Sequence, residues 1–311
     1  MPHAIKNHPF TNIKNEEIDH IVHPSFICPD IEADLYSQTK EYNTSFEELY
    51  MPKEYFYLKE HFVTAIRNNH IHPKIPQIIH QIYEDLAGPP PSLVEISQSW
   101  KELNPDWEYR FWNKNDIETF LKTYYPEFIP AYNAFPHNVQ RWDAIRYLIL
   151  YKFGGLYVDM DYECTENITP ILCNTECAMG LEPEAHAVRI HVPYIVGNAF
   201  MATVPEHPYF KELIDAVFYD NTKAGTYTDS VELILNTTGP FLTTRIYDNS
   251  KYQERITLIP AELIAPITHS DIRKIMKEET SMTIESKVEK SFAIHYFFGS
   301  CLLYTSDAAD E

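Results

Sequence analysis

The chain is 311 residues long, enough for one large or two small domains with ample core. Its 25 basic and 45 acidic residues give a formal charge of −20, which disfavours nucleic-acid binding, since phosphate backbones demand a basic surface. No run approaches 18 apolar residues, so no membrane span is expected, and five scattered cysteines (Cys28, Cys164, Cys173, Cys177 and Cys301) argue against a disulfide framework.

Residues 1–70 are polar and rich in His and Tyr, with no apolar signal core at the start. From Ser45 to Asn69 the pattern predicts one or two helices broken near Pro52. The core begins near Lys74. Ile75–Tyr83 reads as a first strand, followed by a loop holding Gly88 and Pro89–Pro91. Ser92–Leu103 reads as a helix, Trp107–Trp112 as a second strand, and Asn115–Asp116 as the cap of the next helix.

Between Val139 and Phe153, Trp142, Ile145, Ile149 and Phe153 recur at three- and four-residue spacing, one face of a helix. Asp143 and Arg146 are neighbours on that helix. Gly154–Gly155 ends it in a chain with only eight glycines. A short β-prone run, Leu156–Val158, then delivers Asp159 and Asp161. Two carboxylates one residue apart at a strand's C-terminal end can hold Mg²⁺ or Mn²⁺ while leaving coordination positions for a diphosphate. Further on, Ala178–Leu181 and Tyr194–Ala202 read as strands and Pro208–Phe218 as a helix. Pro240 opens another helix, and Ile256–Ile259 and Ser291–His295 read as late strands. Alternating strands and helices imply an α/β sandwich. Cys164, Cys173 and Cys177 make a thin zinc suggestion, lacking a fourth ligand at zinc-site spacing.

The order Asp143, Arg146, Gly154, Gly155, Tyr157, Asp159, Asp161 resembles the D-x-D glycosyltransferases of family 32. That group includes the yeast initiating α-mannosyltransferase and bacterial capsular sugar transferases. The chain also resembles the related clostridial toxin glucosyltransferases. The likeness begins at Ile75–Tyr83, continues through Ser99–Trp100, Asn104–Pro105, Trp107–Tyr109 and Trp112, and covers about residues 71–300. It implies an α/β, GT-A-type, single Rossmann-like nucleotide-sugar-binding domain over 71–300, preceded by a mostly helical extension over 1–70. Residues 301–311 break from the pattern at Cys301 and read as a non-native or truncated tail.

The resemblance assigns roles residue by residue. Asp161 becomes the direct metal ligand, with Asp159 acting through water or ribose hydroxyls and His295 as a third ligand or diphosphate contact. Asp143 and Arg146 hold donor-sugar hydroxyls, and with Asp161 they form the catalytic set. Ile82 and Tyr83 meet the base, and Asn198 and Ser300 lie along the donor. The implied activity is a metal-dependent retaining transfer of a hexose, with Mn²⁺ or Mg²⁺, from a nucleotide-diphosphate sugar to a glycan or lipid-linked saccharide. UDP-sugars are favoured over GDP-mannose, and the setting is bacterial surface-polysaccharide or capsule synthesis. Cytoplasmic placement is expected, with peripheral attachment at the inner membrane face as a variant. The competing readings are a nucleotide-sugar-binding protein without turnover and a D-x-D phosphohydrolase with an aspartyl nucleophile.

Overall fold

The computed structural model describes residues 73–84, 88–173, 175–219, 227, 229–276 and 281–298. The helical extension expected over 1–70, Ser300 and the tail at 301–311 lie outside the described residues.

In chain order the elements are β1 (Ile78–Ile82), α1 (Pro91–Leu103), β2 (Glu108–Trp112), α2 (Lys114–Tyr124), α3 (Ile129–Ala134), α4 (Asn138–Phe153), β3 (Gly155–Val158) and β4 (Tyr162–Cys164). Then follow β5 (Cys177–Leu181), α5 (Glu184–Arg189), β6 (Val196–Thr203), α6 (Pro208–Phe218), α7 (Ser230–Thr237), α8 (Pro240–Asn249) and β7 (Thr257–Ile259). Last come α9 (Ala261–Ile264), α10 (His269–Met276), α11 (Met282–Glu289) and β8 (Ala293–His295).

Six strands form one sheet in the order β2-β1-β3-β6-β5-β7, and β4 pairs with β8 in a separate antiparallel ribbon. β2, β1 and β3 run parallel, β6 is antiparallel to both β3 and β5, and β7 is parallel to β5. Successive strand residues point to opposite faces, as the period of two requires. Leu156, Val158, Phe200 and Ala202 join one core with Trp100 of α1, while Tyr157, Val196 and Met201 join the other with α4, α6 and α8. The sheet is thus covered on both faces, a mixed α/β architecture consistent with a GT-A Rossmann-like fold.

Three expectations shift. The cap of α2 is Asn113 rather than Asn115–Asp116: its side chain accepts from the N–H groups of Asn115 and Asp116, and Asp116 answers as the third helical residue of a capping box. The single apolar face drawn on α4 is also too narrow. Every residue from Asp143 to Leu150 is buried, because α4 is packed between the sheet and the helices α6 and α7. The strand at 196 starts two residues after its expected start at Tyr194.

Gly154 and Gly155 make the turn from α4 into β3 with φ of 64° and 93°. A Cβ on Gly155 would lie 2.5 Å from the Ile78 carbonyl oxygen, a backbone atom that cannot step aside. Gly155→Ala is expected to cost roughly 1–3 kcal/mol from backbone conformation alone, plus the clash. Gly88, at φ 81°, has nothing within 4 Å of such a Cβ. Thermal melting should therefore fall more for Gly155→Ala than for Gly88→Ala; equal shifts would remove the steric argument.

Candidate active site

The D-x-D turn is fixed from three directions. From β1, Gln81 donates its Nε2–H to the Asp159 carbonyl at 3.0 Å, and Gln81 is itself held by the Tyr109 hydroxyl at 2.7 Å. Beside it, His80 is fully buried and its pKa is pushed down by that burial to about 4, so the ring is neutral. Its Nδ1 accepts from the Trp112 indole at 3.1 Å, so Nε2 carries the proton toward the Gly154 carbonyl at 2.9 Å. From α1, Trp100 donates to the Tyr162 carbonyl at 2.6 Å, and Ser99 accepts from the Cys164 N–H at 2.8 Å. From the third side, the β4–β8 ribbon pairs Tyr162 with His295 and stacks their rings 4.2 Å apart.

That ribbon brings a late histidine to the aspartates. Asp159, Asp161 and His295 each offer a ligand atom within 4.8 Å of the others, two hard oxygens and one imidazole nitrogen, a donor set that fits a divalent cation. The His295 Nε2 lies 3.3 Å from Asp161 Oδ1. The other Asp161 oxygen, Oδ2, accepts the Phe298 N–H at 2.6 Å, and the Asp161 carbonyl accepts the Tyr296 N–H at 3.0 Å. Asp159 is already engaged: its Oδ1 accepts from the Tyr157 hydroxyl at 2.6 Å and pairs with Arg146 at 3.0 Å. Burial raises the Asp159 pKa; Arg146 opposes this and Asp161 adds to it.

Asp143 and Arg146 sit on α4 facing this turn, and both are buried rather than forming a surface ion pair. Arg146 bridges Asp143 at 3.3 Å, Asp159 at 3.0 Å and the Asn198 carbonyl at 2.9 Å, with its guanidinium 4.7 Å above the Tyr157 ring. Burial works against its charge, but Asp159, Tyr157 and Asp143 more than offset this and raise its pKa, so it stays protonated. Asp143 accepts from the Asn198 amide at 2.8 Å and from the Thr238 hydroxyl at 2.8 Å. Burial pushes its pKa up to about 6, against the pull of Arg146 and these hydrogen bonds.

One cleft of about 1120 Å³ joins these groups, lined by Ile82, Tyr83, Asp143, Arg146, Asn198 and the three candidate ligands. Its volume stands at the upper end of the range usual for small-molecule clefts. Glu84 and Trp142 join the site without having been expected there. Glu84 accepts from the Trp142 indole at 2.8 Å and the Tyr132 hydroxyl at 3.1 Å. Trp142 lies next to a recognised residue, whereas nothing in the sequence marks Glu84. The cysteines form no metal cluster among the described residues. Cys164 is buried with its thiol between Asn104 and the Glu166 carbonyl, and burial pushes it up to about 12.

Residues 90–178 match a family model described as a glycosyltransferase sugar-binding region containing a DXD motif. The chain is 31% identical over 196 residues to inositol phosphoceramide mannosyltransferase 2 of Schizosaccharomyces pombe, covering 61% of this chain and 50% of that one. It is 33% identical over 185 residues to mannosyl phosphorylinositol ceramide synthase SUR1 of Saccharomyces cerevisiae, covering 57% of this chain and 43% of that one. The chain thus spans about half the length, or less, of these curated relatives. Among solved structures, the PaToxG glycosyltransferase superposes with a TM-score of 0.44 at 14% identity, over 83% of this chain and 97% of that one. The matched part of the chain is thus similar to DXD-motif glycosyltransferases and to fungal mannosyltransferase proteins. The bacterial capsular setting expected from the sequence finds no support in these relatives. No helix among the described residues is long and apolar enough to cross a membrane.

Proposed function

We propose that this protein is a metal-dependent, retaining glycosyltransferase that moves a hexose from a nucleoside-diphosphate sugar to a hydroxyl of an amphipathic saccharide or inositol-bearing lipid. One observation carries the reading: the Asp159–Asp161–His295 cluster lies at the end of β3, in one cleft with the Asp143–Arg146–Asn198 network. Asp161 and His295 serve as the ligands and Asp159 as the bridge to Arg146, because Asp159 Oδ1 is already shared with Tyr157 and Arg146. A nitrogen ligand is softer than Mg²⁺ prefers, which favours Mn²⁺. The bound cation would supply Lewis-acid stabilisation for the charge growing on the leaving diphosphate.

The chain's own groups do the rest. Asp143 accepts and Arg146 donates to neighbouring hydroxyls of the donor hexose, and Tyr83 and Ile82 pack near the base. The bond between the anomeric carbon and the phosphate oxygen breaks, the acceptor oxygen bonds to that carbon on the same face, and its proton leaves with the diphosphate. Such a step needs no enzymic nucleophile. An Asp159 nucleophile, as a phosphohydrolase would need, is disfavoured by the two donors already on its Oδ1.

On the family resemblance alone, UDP-sugars are favoured over GDP-mannose. The curated relatives are named for mannosyl transfer to inositol phosphoceramide or for mannosyl phosphorylinositol ceramide synthesis, which moves GDP-mannose ahead and points to an inositol-phosphate sphingolipid as acceptor. A screen of UDP-glucose, UDP-galactose, both UDP-N-acetylhexosamines and GDP-mannose with Mn²⁺, with and without inositol phosphoceramide, should release nucleotide from GDP-mannose. Release from a UDP-sugar alone would keep the transferase and replace the donor. Release from none, even with acceptor, would overturn the reading.

A further inference from the structure

A cation cluster can seat a diphosphate, and the Asp143–Arg146–Asn198 network a hexose, but neither distinguishes one nucleobase from another. Resting on the glycosyl-transfer reading above, we propose that Glu84 selects the donor's base by pairing its carboxylate with the two adjacent N–H donors of guanine.

The sheet order places the base. β3, which delivers Asp159 at its end, lies between β1 and β6. Asn198 belongs to β6 on one side of it, and Glu84 lies two residues past the end of β1 on the other. With the diphosphate at the aspartates and the hexose turned toward Asn198, the base falls to the β1 side. β2, β1 and β3 run parallel there, and nucleotides bind outside the carboxyl ends of such strands. The Tyr83 N–H donates to the Trp112 carbonyl at 3.0 Å, which carries the β1–β2 ladder up to the residue before Glu84.

The Glu84 side chain is half-buried, lines the cleft and is clamped by two donors. Its Oε2 accepts from the Trp142 indole of α4 at 2.8 Å, and its Oε1 accepts from the Tyr132 hydroxyl of α3 at 3.1 Å. Burial, and after it Glu84 itself, holds the Tyr132 pKa well above its ordinary value, so that hydroxyl stays a donor. The clamps use one lone pair on each carboxylate oxygen and leave a second on each. Two acceptor sites therefore stand side by side in a fixed orientation. Glu118 also lines the cleft, but it is exposed and pairs with Lys122 at 3.2 Å.

Guanine offers two donors in a row, the ring N1–H and the exocyclic amino group, and these meet two carboxylate oxygens as a bidentate pair. Uracil sets one ring N–H between two carbonyls, which turns a carbonyl oxygen toward a Glu84 oxygen. Adenine and cytosine each set an amino group beside a ring acceptor. A site built to pair with substrate donors rejects an analogue without them, because its own polar group is left unpaired.

Isothermal titration of the full chain with GDP, inosine diphosphate and UDP, each with Mn²⁺, reads the selection without turnover. The wild type is expected to bind GDP about tenfold or more tighter than UDP, with inosine diphosphate, which lacks the amino group, in between. Glu84→Gln replaces an acceptor oxygen with an amide donor, so GDP should weaken about tenfold while UDP changes by less than about threefold. A role confined to bracing α3 and α4 against β1 would weaken both nucleotides alike. Parallel losses of GDP and UDP in Glu84→Gln would overturn the proposal. So would a wild type that binds UDP as tightly as GDP, or inosine diphosphate as tightly as GDP, and these comparisons need no variant to fold. A wild type that prefers GDP yet cleaves no donor in the screen would strike the glycosyl-transfer reading alone.

Discussion

Asp161→Ala is expected to reduce donor turnover by roughly a thousandfold or more while leaving the chain folded. The carboxylate supplies a charged ligand atom toward His295 and, through Oδ2, receives the Phe298 N–H. Losing one preorganised electrostatic group at a leaving site costs on the order of a hundred- to a thousandfold, and removing the ligand that holds the cation should exceed this. Asp161→Asn separates the two roles. The amide keeps an oxygen for the Phe298 N–H but loses the charge, so it should melt near wild type and still fail to turn over. Activity assays across a Mn²⁺ titration, with melting curves alongside, read both. An Asp161→Asn variant within tenfold of wild type would remove Asp161 from metal binding.

Arg146 carries the second large effect, and here stability and function fall together. One guanidinium serves Asp143, Asp159 and the Asn198 carbonyl, all buried or nearly so. Arg146→Leu leaves two carboxylates without their cation. Breaking a buried ion pair from one side costs about 3–5 kcal/mol. For a domain of this size that corresponds to a fall in melting temperature of roughly 6–20 °C. Arg146→Lys keeps the charge, but an ammonium cannot reach three partners in the planar fork that the guanidinium provides. It should melt between the two and still bind donor poorly. Calorimetry together with isothermal titration of the donor would show this. A melting shift under about 2 °C for Arg146→Leu would mean that the network is not structural.

The elements with strong local signals were legible. Gly154–Gly155 read as a turn because the chain reverses there with positive φ, and the D-x-D residues fell at the end of a β-prone run. The sequence motifs around them turn out to be framework. His80, Gln81, Ser99, Trp100 and Trp112 do no visible chemistry; their hydrogen bonds hold the backbone from 154 to 164 in place. Glu84 and the pairing of Thr238 with Asp143 were not legible, because their significance comes from elements far apart in sequence meeting in one cleft. Thr238 reaches Asp143 across 95 positions, and no local pattern encodes that distance. The mixed sheet was hidden for the same reason. Hydrophobic alternation marks β6 as a strand, yet says nothing of whether it runs with or against β3.

The β4–β8 ribbon also sets a timetable. The contact between Asp161 and Phe298 closes a loop of 137 residues, so the D-x-D segment emerges from synthesis long before the strand that brings His295 to it. Contacts of such separation form slowly, since the entropy of closing the loop is spent before they contribute. A nascent chain that has passed residue 161 but not 295 holds Asp159 and Asp161 without His295. On the proposed metal reading, the site is complete only once β8 has paired with β4, so a cation would act as a late lock on the fold rather than a seed for it.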